Sequence, residues 1–132
     1  KPFYGDVEGC DYSQCFYVDN ESNEIVVTES VIDAMSIMTM TNNHEKYNYL
    51  ALAGVGKWEA IKTYLDKGKI KKIIIATDND KTNDNQGGIP CAQLICSYVK
   101  ENYPDVERKW KLPPANCGKD WNDVLKGMEE LR

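Results

Sequence analysis

The sequence predicts an α/β domain, a mostly parallel sheet with helices on both faces and a β-hairpin on its N-terminal side. Three observations predict it. Strand-like and helix-like segments alternate along the chain at the spacing of βαβ units. The segments EIVVTE, YNYLALAG and KKIIIATDND are nearly continuous apolar runs, the pattern of strands covered on both faces. At 132 residues the chain can build one core but not two.

The elements follow in order. CFYVDNESNEIVVTE reads as two strands around a polar turn at Asn20 to Asn23, a hairpin. The second strand passes into SVIDAMSIMTM, where Val31, Ala34, Met35 and Met38 recur at helical spacing and are the expected inward face. YNYLALAG is the next strand and ends at Gly54. KWEAIKTYLDKG is an amphipathic helix, with Trp58, Ile61, Tyr64 and Leu65 inward and Gly68 as its stop. KKIIIATDND is the third strand of the parallel set, followed by the polar loop KTNDNQGG. In IPCAQLICSYVKENYP, Pro90 suits a first helical turn and Ala92, Ile95, Cys96 and Val99 form one face. ERKWKLPP is a fourth such strand, and KDWNDVLKGMEELR closes the chain as a helix.

Composition excludes several classes. The hydrophobic fraction of 42% is that of a folded domain. No apolar run reaches the length of about 18 residues that a membrane helix needs, and no leader opens the chain, so a cytoplasmic protein is expected. The chain begins at Lys1, as a piece of a longer protein would. Five cysteines do not pair evenly, and reduced thiols fit better than a disulfide framework. Cys10–Cys15 and Cys91–Cys96 share a C-x4-C spacing, but positions five apart on a helix do not share a face, and buried thiols are expected rather than zinc. The net charge of −5 argues against a free-standing, sequence-independent nucleic-acid binder. An acidic domain that acts on a polyanion needs a divalent metal or basic neighbouring domains.

In parallel α/β sheets the functional crevice lies at the carboxyl ends of the strands. Glu29 ends one strand, Gly54 the next, and Asp78 and Asp80 the third. Residues two apart on an extended backbone face the same way. Two adjacent carboxylates repel each other unless a cation sits between them. A hard divalent ion with oxygen ligands, Mg²⁺ or Mn²⁺, meets that need. Glu29 is then a third ligand or a proton-transfer group. Ser30 and Asp33 also match a helix-capping pattern, and Asp120 also suits a cap of the last helix. Gly54, Gly56 and Lys57 do not make a phosphate-binding P-loop, because Ala51 and Trp58 stand where a glycine and a Ser or Thr are required.

These residues resemble the TOPRIM domains shared by bacterial DnaG-type primases, type IA and type II topoisomerases, and some nucleases. IVVTESVIDAMS resembles the family's glutamate motif, with Glu29 in the key position, and IIIATDND its Asp-x-Asp motif, with Asp78 and Asp80. Asp33, four residues after the glutamate, the glycine-ended YLALAGVG, and GKDWNDVL with Lys119 and Asp120 are similar to marks of the primase-like branch found in plasmid, phage and mobile-element proteins. The likeness spans roughly residues 25–126, with residues 1–24 as a lead-in. It departs at Ser30, where a glycine is common, in the longer loop before Gly87 and Gly88, and at Trp121 and Asn122 in the late motif.

The resemblance implies a compact Rossmann-like fold over residues 25–132 and Mg-dependent nucleotidyl transfer on DNA. Glu29 would be catalytic and Asp78, Asp80, Asp120 and Asp33 metal ligands. Lys57 and Lys119 are the candidate substrate contacts. Template DNA and nucleoside triphosphates would be engaged with the help of neighbouring domains of the same chain. Phosphodiester cleavage of the nuclease or topoisomerase type, and a non-catalytic metal- or partner-binding module, are the alternatives.

Overall fold

A computed structural model of the chain describes residues 16–52, 55–78, 88–114, 118 and 120–130. Gly54, Asp80, the 79–87 loop, Lys119 and Cys10, Cys15 and Cys117 lie outside them. The described elements are β1 (Phe16–Val18), β2 (Glu24–Thr28), α1 (Val31–Met40), β3 (Asn48–Ala51), α2 (Ile61–Leu65), β4 (Lys72–Ile75), α3 (Gly88–Asn102), β5 (Glu107–Trp110) and α4 (Trp121–Glu130). None of the described helices is long and apolar enough to cross a membrane.

The sheet runs in the order β1-β3-β2-β4-β5. β2, β3, β4 and β5 are parallel, and β1 lies antiparallel on the β3 edge. The fold is thus the mostly parallel, doubly covered α/β sheet that the sequence predicts.

Alternating residues of the central strands feed two cores, one on each face. Ile25, Val27, Leu50, Ile73 and Ile75 pack with Ile61 and Leu65 of α2 and with Ala92, Ile95 and Val99 of α3. Val26, Tyr49, Ile74 and Ala76 pack on the other face with Ile37 and Met38 of α1 and Trp121 of α4. The chain leaves β2 toward β3 on the α1 face and returns past β2 to β4 on the α2 face. Reversing direction and face together keeps every crossover of one hand. The reversal point therefore falls between β2 and β4, where such sheets open a crevice at the strand ends.

Two expectations are corrected in detail. The two strands around the polar turn are both present, with β1 antiparallel, but β1 is hydrogen-bonded to β3 and not to β2. The cause is Asn48, buried at the start of β3. Its Oδ1 accepts the N–H groups of Asn20 and Ser22 at 2.7 and 3.1 Å. Its Nδ2 donates to the Tyr17 hydroxyl at 2.9 Å and to Ser22 O at 3.0 Å. One side chain so satisfies the turn, and the turn steps across β3 instead of closing on β2. Asn48→Ala leaves these groups without partners, and a loss of about 2–3 kcal/mol is expected. An unchanged urea midpoint would remove Asn48 from this role.

The second correction concerns α1. Val31 and Met35 are exposed, at 36% and 55%, while Ala34, Asp33 and Ser36 are buried. A purely apolar reading of the helix missed its polar contact with α4. Elsewhere the expected faces hold. Ile61, Tyr64, Leu65, Ala92, Ile95 and Val99 are buried, and Gly68 stops α2 with a left-handed φ of 75°.

Candidate active site

Glu29 directly follows β2, and the chain turns at once into α1. The turn is set by Thr28, whose buried hydroxyl donates to Ser30 O at 2.9 Å, and by Ser30, whose Oγ caps the Asp33 N–H at 3.2 Å. Asp78 follows β4 by three residues, after the buried Ala76 and Thr77. The extended pairing of β4 persists past its end, since Ala76 N–H donates to Val27 O at 2.8 Å. The two acids therefore arrive side by side. The Asp78 N–H donates to Glu29 Oε1 at 3.3 Å.

Asp33 and Asp120 come in from the helices. Asp33 is buried and accepts the Ser30 hydroxyl on Oδ2 at 3.0 Å and the Asn122 N–H on Oδ1 at 3.2 Å. It thereby ties the start of α1 to the start of α4. Asp120 caps α4, its Oδ1 accepting the Asp123 N–H at 2.8 Å. The capping geometries weighed for both residues are present. Their charges still reach the centre of the site.

Burial, a hydrogen bond to Glu29 and Glu29's charge, and then the charges of Asp33 and Asp120, push the Asp78 carboxyl up to about 9. Oδ1 of Asp78 is buried and has no hydrogen-bond partner among the described residues. An orphaned carboxylate oxygen in a field of like charges is what a cation-binding position presents before the cation arrives. Glu29 and Asp78 thus fit a hard divalent ion. Among the described residues no group of three or more His, Cys, Asp or Glu side chains closes a full ligand set, and Asp80 lies outside them.

The raised carboxyl has a consequence for stability without metal. The folded protein holds the Asp78 proton more tightly than the unfolded chain does. The stability this gives is complete below the ordinary carboxylate range and is lost as pH rises toward about 9. In chelator-treated protein, Asp78→Asn is expected to unfold at higher temperature than the wild type at pH 8, with the gap closing at pH 4. A gap that widened on acidification would contradict this placement of Asp78.

Lys57 is half-buried in the 3-10 turn that follows β3, on the same edge of the sheet. Cys91, in the first turns of α3, is buried, and burial together with Glu29's charge pushes its thiol up to about 12. It remains protonated at neutral pH, a core residue and not a nucleophile. Among the described residues, Cys91 and Cys96 are not joined in a disulfide.

Sequence reasoning missed Trp121, treated only as a departure from a motif. Its ring is buried beneath α4, and its Nε1–H donates to Ala76 O at 3.1 Å, two residues before Asp78. The available signal was the spacing Trp121, Val124, Leu125 and Met128, an amphipathic stripe that begins on the tryptophan. Gly118 supports the same helix start. Its φ is 119°, and a Cβ there would lie 2.3 Å from Asp123 Cβ.

A family model described as Toprim-like matches residues 26–125. No curated protein matches the chain.

Proposed function

We propose that this chain, which belongs to the Toprim-like family, is the catalytic domain of a primase-like nucleotidyltransferase that works with Mg²⁺ or Mn²⁺ on a DNA template. The observation that carries the reading is the buried Oδ1 of Asp78, without a hydrogen-bond partner among the described residues, beside Glu29 at the reversal point of the sheet.

Glu29 and Asp78, joined by Asp80, are the residues that would hold the ion. When bound, the ion neutralises phosphate charge and stabilises the charge that develops on the transferring phosphoryl group. The remaining work falls to the chain itself. Glu29, held against the Asp78 amide, would take or return a proton on a reacting hydroxyl. The buried Asp33 fixes the two helix starts around that point. Asp120 adds negative charge that is felt at Asp78, and Lys57 and Lys119 are the proposed contacts to the incoming phosphates.

Metal affinity is expected in the millimolar range, because Mg²⁺ keeps several of its waters and few protein ligands are supplied. Asp78→Asn should abolish the metal-induced rise in melting temperature. The functional test is divalent-dependent incorporation of labelled ribonucleotides on a single-stranded template by the full-length protein, with nicking of plasmid DNA in parallel. Incorporation supports the primase-like reading. Nicking without incorporation replaces it with phosphodiester cleavage.

A further inference from the structure

We propose that the groove on the α1–α4 face of the sheet, running along β4 and β5 toward Asp78, binds single-stranded nucleic acid. One base would enter its apolar cavity, and the strand's phosphates would lie on Lys109 and Lys111. The proposal rests on the nucleic-acid reading above and deepens it by naming a strand-binding surface on the same face of the sheet.

The cavity has a volume of about 200 Å³. Its lining includes the almost fully buried Val26, Ile74, Ala76 and Trp121 and the half-buried Tyr47. A cavity of about 150 Å³ accepts a benzene ring, so this one suits a nucleobase and is far too small for a duplex. Lys72, Lys109 and Lys111 line the same cavity. Lys72 is paired with Glu107 at 3.2 Å and with Glu24 at 3.7 Å. Lys109 and Lys111 are exposed and have no ion pair among the described residues. Two residues apart along β5 and its extended continuation, they sit about 6.7 Å apart on the same side.

Cations without an ion pair among the described residues, beside a cavity with aromatic residues in its lining, make the combination that holds single strands, with charge tracking the backbone and rings contacting bases. They stand out in a chain of net charge −5. Along the strands the lining ends at Ala76 and Lys111. Lys111 N–H donates to Ile75 O at 2.9 Å, which sets Lys111 beside Ala76 and within two residues of Asp78 along β4.

Lysines on an edge strand also serve to prevent sheet-to-sheet association. That role needs no cavity beneath them. The two accounts differ in a measurement.

The experiment is fluorescence anisotropy of a labelled oligothymidylate with the full-length protein over a salt series. Lys109→Ala with Lys111→Ala is expected to weaken binding about tenfold at low salt. It should also reduce the slope of log K against log salt by about 1.4, the share of two single-strand phosphates. Lys67→Ala with Lys69→Ala, at the cavity on the opposite edge of the sheet, should change neither quantity. A strand of abasic sites should bind the wild type more weakly than oligothymidylate. An unchanged slope in the first variant, an equal loss in the second, or equal binding of the abasic strand would each overturn the proposal. Glu29→Gln should bind as the wild type does. Chemistry lost with binding intact therefore counts against the proposed function alone, and lysine-independent binding with chemistry intact against the groove alone.

Discussion

Trp121→Ala is expected to destabilise the domain by about 3–5 kcal/mol, the usual cost of emptying a buried aromatic site. Trp121 is 6% exposed and belongs to the core formed with Val26, Tyr49, Ile74 and Ala76. Its loss opens a cavity under α4 and leaves the buried Ala76 carbonyl without its indole donor. The effect should extend to the site. α4 carries Asp120 at its cap and Asn122 against Asp33, so loosening its start releases both acids from the neighbourhood of Asp78. Trp121→Phe separates the two contributions. It keeps most of the ring volume and loses only the N–H bond, and should cost about 0.5–1.5 kcal/mol. Urea unfolding of the three proteins checks this order. An alanine variant with the wild-type midpoint would mean that α4 is not anchored through this ring.

Glu29→Gln in the full-length protein is expected to lower turnover about 10²–10⁴-fold while leaving DNA affinity near the wild-type value. The amide keeps the size of the side chain and an oxygen for the Asp78 N–H. What it removes is the charge and the proton-accepting capacity, which act mainly in the transition state. Losing one like charge beside Asp78 should not weaken the fold. Labelled ribonucleotide incorporation and plasmid nicking, with strand binding measured alongside, separate these effects. A wild type and variant equally silent in both assays, yet still stabilised by Mg²⁺, would assign the chain to a metal-binding module without chemistry.

Most of the sheet was legible in the sequence. EIVVT, NYLA and KIII are apolar on both faces, and only a doubly covered parallel sheet buries such runs. The position of Glu29 and Asp78 at one edge followed from the same reading, because every parallel strand delivers its end to the same side. The family resemblance, drawn from those acids in their strand contexts, agrees with the Toprim-like match over residues 26–125.

Other features depended on residues distant in the chain. Whether β1 pairs with β2 or with β3 is decided by Asn48, which bonds to a turn 26–28 residues before it. The inward face of α1 is decided by the bond from Asn122 to Asp33, across 89 residues. The role of Trp121 is decided by a carbonyl 45 residues earlier. Local periodicity records how often a residue must turn toward a core, and so it reveals strands, helices and their apolar faces. It carries no record of which distant polar group will meet a buried amide or carboxylate. Those partners exist only once the sheet has brought β2, β4, α1 and α4 together. The acids at the strand ends were therefore written in the chain, while the burial that leaves Asp78 Oδ1 without a partner among the described residues came from the assembled fold.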